Sequence, residues 1–463
     1  MDDNGKRDLI LHGNMARVIL TLAGPIMLGN FIQTMYNLAD TYFVSQIGDT
    51  QVAAITLIWP IIFLMMSIGM GVGIAGTALI SQYVGSHQMK EANEIAGQMI
   101  SFSFIFSVGV AVVGAFATPA IVRAMGGTGE LLSEAVAYLR IIFIGMPTMF
   151  LFFSYMAIKQ GQGDTVTPMK LSGISAIANI VLDPLFIFGF GWGIQGAAYA
   201  TVLSRGTLAI YAMYKLSKDT AGISLRKKYL ILNKPALKHL LVVALPSSIG
   251  RSTEAFGFTI LTMFIMSFGE VTVAAFGIGN RINSLILMPA MGIGNALATV
   301  VGQNLGADNV SRAKGAVRTS TILATVFLAL GGTLMFNISE SIIAQFTDSP
   351  EVLVQGTYFM KLLSATLPLM GFFQIFVGTF QGSGHTFLAM ILMSGRLWVL
   401  RIPMIALFGY YTNLAERSVW YAMIISNGLI CIVGLGIYLT GTWQKKVIKS
   451  KNPTSTVLLK ENT

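Results

Sequence analysis

The chain holds little that reacts. Of its 463 residues one is a cysteine, Cys431, and four are histidines. A single thiol allows no intramolecular disulfide or thiolate cluster, and the histidines lack metal-ligand spacing, so redox and zinc chemistry find no foothold. No Gly-rich phosphate loop ending in GK[ST] occurs and no nucleophile is paired with a base, which argues against an ATPase or any other enzyme. Charge is scarce as well, since Asp, Glu, Lys and Arg make up 11% of the chain where a soluble domain carries about 25%. In their place stand 54% hydrophobic residues and a mean hydropathy of +0.70, the composition of an integral membrane protein.

Apolar runs broken by short polar turns recur at the spacing that crossings of ~20 residues demand. We count twelve, near 14–45, 51–82, 92–119, 131–159, 166–189, 194–216, 237–268, 271–302, 313–338, 352–381, 386–410 and 418–443. The expected fold is all-α with twelve transmembrane helices. The polar start, MDDNGKRDLILHGN, runs into a span too long for a signal h-region, so no cleavable leader is expected.

The net charge of +10 is unevenly placed. Between Lys215 and Lys238 seven basic residues face the lone acid Asp219, and the tail adds Lys445, Lys446, Lys449, Lys451 and Lys460. The turns of the other side carry Arg123 and Arg417 against a majority of acids. That asymmetry puts both termini and the central loop in the cytoplasm of a multi-pass plasma membrane protein, in a bacterium the inner membrane. A nucleic-acid partner is not expected, because topology and attraction to anionic membrane lipid account for the basic residues.

A constant shift overlays the first half on the second. Pro25 falls on Pro246, Val52-Ala53-Ala54 on Val273-Ala274-Ala275, Gln82 and Gly85 on Gln303 and Gly306, and Gln160-Gly161 on Gln381-Gly382. Six spans per copy make the repeats parallel, a plan that encloses a substrate path between two lobes. The expected organisation is an amino-terminal six-helix lobe at 1–216, a cytoplasmic loop at 217–236, a carboxy-terminal lobe at 237–443 and a basic cytoplasmic tail at 444–463.

The scaffold is duplicated but the ionisable chemistry is not, for Asp40 corresponds to Leu261 and Gln33 to Glu254. In the first span Gln33, Asn37 and Asp40 share one helical face with Tyr36 beside them. An intramembrane Asp costs about 2.5–3.5 kcal/mol on insertion scales, so such residues face a bundle interior or wet cavity. Asp183 follows Asn179 by one turn and precedes Pro184, which invites a bend. Two isolated intramembrane acids in one half are expected to meet in one site, although a kinked helix with a hydrogen-bonded Asp is the plainer alternative. Buried carboxylates without a cation bind protons more readily than free ones, and Asp, Asn and a hydroxyl such as Thr201 also offer the hard oxygens that suit Na⁺.

Glu254 lies three residues after Arg251, within reach of an intrahelical ion pair. Its role is either charge balance or binding of a cationic substrate or second ion. Arg396 and Arg401 have no acid in their own span, and snorkelling is the expected outcome for Arg396. The many Met and Phe residues can repack around varied apolar ligands; Met35, Phe153 and Met263 are the ones expected at the substrate cavity.

Over nearly the whole chain these residues resemble the multidrug and toxic compound extrusion (MATE) transporters. The matching features are twelve spans in two halves, Pro25 and Asp40 in span one, the turn from Gln46 to Ala54, and Gln160-Gly161-Gln162-Gly163-Asp164 after span four. Asn179, Asp183 and Thr201 match the positions that, with Asp40, form the amino-lobe cation site of family members, most like the DinF-like branch. Glu254 is similar to the span-seven acid of NorM-like members, but span ten lacks their second acid, so coupling is assigned to the amino lobe. The resemblance implies export of bulky amphipathic or cationic drug-like compounds in antiport with H⁺ or Na⁺, with no other cofactor, by a chain working as a monomer. Cation binding is expected to repack span one about Pro25 as hinge. A lipid-linked oligosaccharide flippase of the same superfamily is the first alternative, and a non-transporting membrane scaffold or sensor the second.

Overall fold

Without water in the hydrocarbon layer, every backbone amide needs an internal partner, and for chains of this hydropathy the helix is the solution. The computed structural model describes residues 3–219 and 222–448, and among them there are helices and no strands. Lys449, Lys451 and Lys460 of the expected basic tail lie outside the described residues.

The helices are α1 (Asp3–His12), α2 (Met15–Ser45), α3 (Asp49–Gly85), α4 (Met89–Ala124), α5 (Gly129–Gly161), α6 (Val166–Gly189) and α7 (Gly193–Lys218), then the single turn α8 (Lys227–Leu230). The second half supplies α9 (Lys234–Met266), α10 (Glu270–Gly306), α11 (Val310–Ile343), α12 (Pro350–Gly382), α13 (Thr386–Tyr411) and α14 (Arg417–Leu439). Ten of these are long and apolar enough to cross a membrane. The two remaining long helices, α7 and α9, fall at the sixth and seventh expected spans, and both bring charge inward: Arg205 on α7, and Arg251 and Glu254 on α9. That polar load lowers their hydropathy. In each half one helix is locally widened into π geometry, Leu185–Gly189 directly after Pro184 and Gly395–Arg401 within α13. Such widening re-aims the side chains that follow it.

The helices of the two halves meet most closely where α3 and α10 end. A Cβ added at Gly85 would collide with the Gln303 carbonyl, and one at Gly306 with the Gln82 carbonyl, so the backbones touch only because both positions are glycine. The hydrogen bonds there are reciprocal too. Gln303 Nε2 donates to the Gly161 carbonyl at 3.0 Å, and Gln82 Nε2 to the Gly382 carbonyl at 3.4 Å. Those are the pairs that the sequence repeat overlays.

Straps cover this closed end. Arg7 of α1 donates to the carbonyls of Val84 and Gly85 at 3.0 and 2.8 Å, while Arg312 of α11 donates to the Ile10 and Gly13 carbonyls. Lys6 pairs with Asp164 at 2.9 Å, and the Val447 amide donates to Gln82 Oε1 at 3.1 Å. Asp164 sits in the turn after α5. Burial alone would raise its pKa, but the Thr167 amide, Lys6 and the Thr167 hydroxyl outweigh that and hold it below the usual carboxylate range.

Overpacking a close contact costs about 1–3 kcal/mol, so Gly306→Val should prise α3 from α10. In a Cys431→Ser background, a cysteine replacing the fully buried Ser81 should stay unlabelled by a membrane-impermeant maleimide. Adding Gly306→Val should raise its labelling several-fold, and unchanged labelling would mean that this contact does not keep the end closed.

Candidate functional site

Between the halves lies a cavity of about 470 Å³, which reaches the closed end at Gln381 and Gly382. Its wall is mostly apolar and rich in Met and aromatic groups, Trp59, Phe63, Met66, Met70, Phe153 and Met156 among them. The polar stripe of α2 faces it: Pro25, Gln33, Tyr36, Asn37 and Asp40 all line the wall, and α7 adds Thr201 and Arg205.

The stripe is hydrogen-bonded along and across helices. Gln33 Nε2 donates to Asn37 Oδ1 at 3.0 Å, one helical turn on. The buried Tyr36 hydroxyl donates to Thr201 Oγ1 at 2.9 Å, tying α2 to α7. Arg205 lies with its guanidinium carbon 4.8 Å from the centre of the Tyr36 ring and donates to Gln33 Oε1 at 3.3 Å. It is 8% exposed, a buried cation whose field reaches Asp40.

Asp183 and Asn179 sit behind the wall rather than in it, both fully buried on α6. Asn179 Nδ2 donates to Asp183 Oδ1 at 3.1 Å, the one-turn pairing that their spacing allows. Asp183 is close enough to Asp40 for the two charges to interact, and Tyr138 of α5 lies within the field of both. Three buried oxygens in this cluster have no hydrogen-bond partner: Asp40 Oδ1, Asp183 Oδ2 and Asn179 Oδ1. Asp40 lies within the field of Arg205 and close to Asp183, so with all three ionised the cluster carries one uncompensated negative charge. Acceptors without donors and a deficit of one positive charge suit a proton or a monovalent cation. Among the described residues no group of three or more His, Cys, Asp or Glu has the spacing to hold a metal ion.

Several expected positions lie elsewhere. Met35 and Met263 are 37% and 64% exposed and line neither this cavity nor the second one described below, because their helix faces turn outward. Phe153 is at the wall. Glu254 does not pair within its own helix: Arg396 reaches it from the π-widened part of α13, with its N–H 2.8 Å from Glu254 Oε1. Arg396 and Arg401 do not snorkel, being 5% and 2% exposed. Arg205 and Tyr138 are additions that sequence reasoning passed over. Arg205 carried a usable signal, an intramembrane cation one helical turn after Thr201.

Comparisons with known proteins agree with this architecture. The MatE family model matches residues 25–185 and 246–407. The probable multidrug resistance protein YoeA of Bacillus subtilis strain 168 is 29% identical over 92% of this chain and 93% of its own. The FAD transporter of Shewanella oneidensis is 25% identical over 91% and 94%. Among solved structures, a MOP superfamily transporter from Pyrococcus furiosus superposes with a TM-score of 0.88 at 28% identity, covering 95% of this chain and 98% of that one.

Removing one partner from a buried charge set costs about 3–5 kcal/mol, because the others are left uncompensated. Arg205→Met should therefore lower the thermal stability of the purified protein at pH 8. Asp183→Asn in the same chain should restore part of the loss by deleting one stranded carboxylate. Equal losses with and without Asp183 would show that Arg205 serves some other purpose than balancing this pair.

Proposed function

The chain belongs to the MatE family of multidrug and toxic compound extrusion transporters, and from that premise we propose that it is a secondary active exporter of bulky amphipathic or cationic compounds, driven by inward H⁺ or Na⁺. Members of the family are multi-span membrane transporters, not enzymes. The observation that carries the coupling is the set of three unpartnered oxygens on Asp40, Asp183 and Asn179 beside a single buried guanidinium.

The cycle follows from charge. When empty, the cluster holds one more negative charge than positive, and that excess is relieved by one monovalent cation or proton. Filling it removes the field that a cationic substrate in the cavity is attracted to, and relaxes the tension on α2 where Pro25 interrupts the hydrogen-bond ladder. Substrate leaves by the open side, and release of the ion to the cytoplasm resets the site. One elementary charge moving inward across 100 mV supplies about 2.3 kcal/mol, roughly fiftyfold in gradient for a neutral substrate.

The finer architecture belongs to the same proposal. Twelve spans, with α7 and α9 counted despite their charges, form two parallel six-helix lobes related by a pseudo-twofold axis. The reciprocal contacts of Gln82 with Gly382 and Gln303 with Gly161 support that axis. The strapped end is then cytoplasmic, with both termini there, in a monomer surrounded by lipid in the bacterial inner membrane.

Proteoliposomes loaded with a fluorescent cationic dye test the coupling under an imposed pH gradient and, separately, an imposed Na⁺ gradient. One of the two should drive efflux, and Asp40→Asn should cut that efflux at least tenfold while the protein still purifies as a monodisperse species. Full gradient-driven efflux by Asp40→Asn would remove this carboxylate from the mechanism.

A further inference from the structure

A second cavity, of about 340 Å³, opens among α9, α10, α12, α13 and α14 and takes no part in the ion exchange above. Its charged lining consists of three guanidiniums, Arg251, Arg396 and Arg401, and one carboxylate, Glu254, a formal excess of two positive charges. Arg396 gives one N–H to Glu254 and stands 4.4 Å from the centre of the Phe373 ring. Arg401 donates only to neutral acceptors, Ser426 Oγ at 3.1 Å and Asn427 Oδ1 at 2.7 Å. It is near enough to Arg396 and Glu254 for their charges to act on it, so one carboxylate serves both arginines.

Two donors in this cluster are buried and have no hydrogen-bond partner, the Nε atoms of Arg251 and Arg396. Burying cations without counter-charge is strongly unfavourable. A purely structural cluster would be served by a second acid, and none lines the cavity. Arg251, Asn295 and Gln381 belong to the walls of both cavities, so one elongated molecule can occupy the two together.

We propose that this cavity is a subsite for an anionic group, a carboxylate or phosphate, carried by an amphipathic substrate whose apolar body lies in the larger cavity. Guanidiniums bind such groups through paired, charge-assisted N–H donors. The assignment rests on the export reading for its physiological meaning, but the binding it asserts is measured without transport.

The test uses tetramethylrhodamine with its free carboxylate and the methyl ester of the same dye, titrated against the full chain in detergent by fluorescence polarisation. The acid should bind at least tenfold more tightly than the ester. Arg401→Met should weaken the acid about tenfold and the ester less than twofold, and Arg401→Lys, which keeps the charge but not the paired donors, should retain only part of the preference. Equal affinities in the parent, a parallel loss of both dyes in Arg401→Met, or no binding of either dye would overturn the subsite. Displacement of the acid by phosphatidylglycerol would identify a lipid phosphate as one occupant, and its absence would restrict the subsite to soluble organic anions; both outcomes support it. Gradient-driven efflux of the ester from proteoliposomes reads the export function separately, so its failure leaves the binding result standing.

Discussion

Charge kept from water is tolerated only against its opposite, and two places in this molecule leave that balance incomplete. In the first half, Asp40 and Asp183 lie in each other's field, and Arg205 is the cation that reaches Asp40. In the second, Arg251, Arg396 and Arg401 share Glu254. At the effective dielectric near buried sites, unit charges 4 Å apart interact by about 4 kcal/mol, comparable to the several kcal/mol each ion forfeits on leaving water. A site short of one counter-ion is therefore suited to a mobile one. The two imbalances have opposite sign, which gives a zwitterionic molecule a direction along the path between the halves.

These imbalances rest on a scaffold that yields little. Gly85 against Gln303 and Gly306 against Gln82 bring two backbones into contact at one end, and the reciprocal glutamine bonds lock it in register. Because α2 packs on α6, α7 and α10, it is the helix that touches both the acid cluster and the other half. In the proposed cycle discharge of Asp40 would be felt first by α2, and Pro25 is where its intrahelical hydrogen bonds are already interrupted. A packed interior passes on such a change as a shift between two arrangements rather than a graded deformation.

Periodicity made the all-helical fold legible, since hydropathy follows from the bilayer's demand for satisfied backbones. The hydropathy signal thins at α7 and α9 for a physical reason: helices that carry Arg205, Arg251 and Glu254 inward are less apolar. The stacking of Gln33, Asn37 and Asp40 and the pairing of Asn179 with Asp183 were readable because both lie within one helix at fixed spacing. Partners between helices were not. Helical spacing pairs Glu254 with Arg251, yet Arg396 takes it, because the π-widened stretch of α13 turns that guanidinium inward. Met35 and Met263 failed as cavity residues on the same ground, since composition tells nothing about which face of a helix turns inward.

The two acids of the first half are not equivalent, and in the proposed cycle the difference would set the order of events. Asp40 lines the cavity proposed for substrate, whereas Asp183 and Asn179 are fully enclosed behind it. A substrate cation in that cavity would therefore meet the carboxylate of Asp40 but not that of Asp183. A coupling ion, small enough to pass, would be drawn toward both. Substrate and ion would then compete for one carboxylate while only the ion would gain the second, together with the unpartnered Asn179 oxygen beside it. That asymmetry would let a proton or Na⁺ displace a much larger molecule without occupying the larger molecule's space, which is what the proposed exchange in opposite directions through a single path requires.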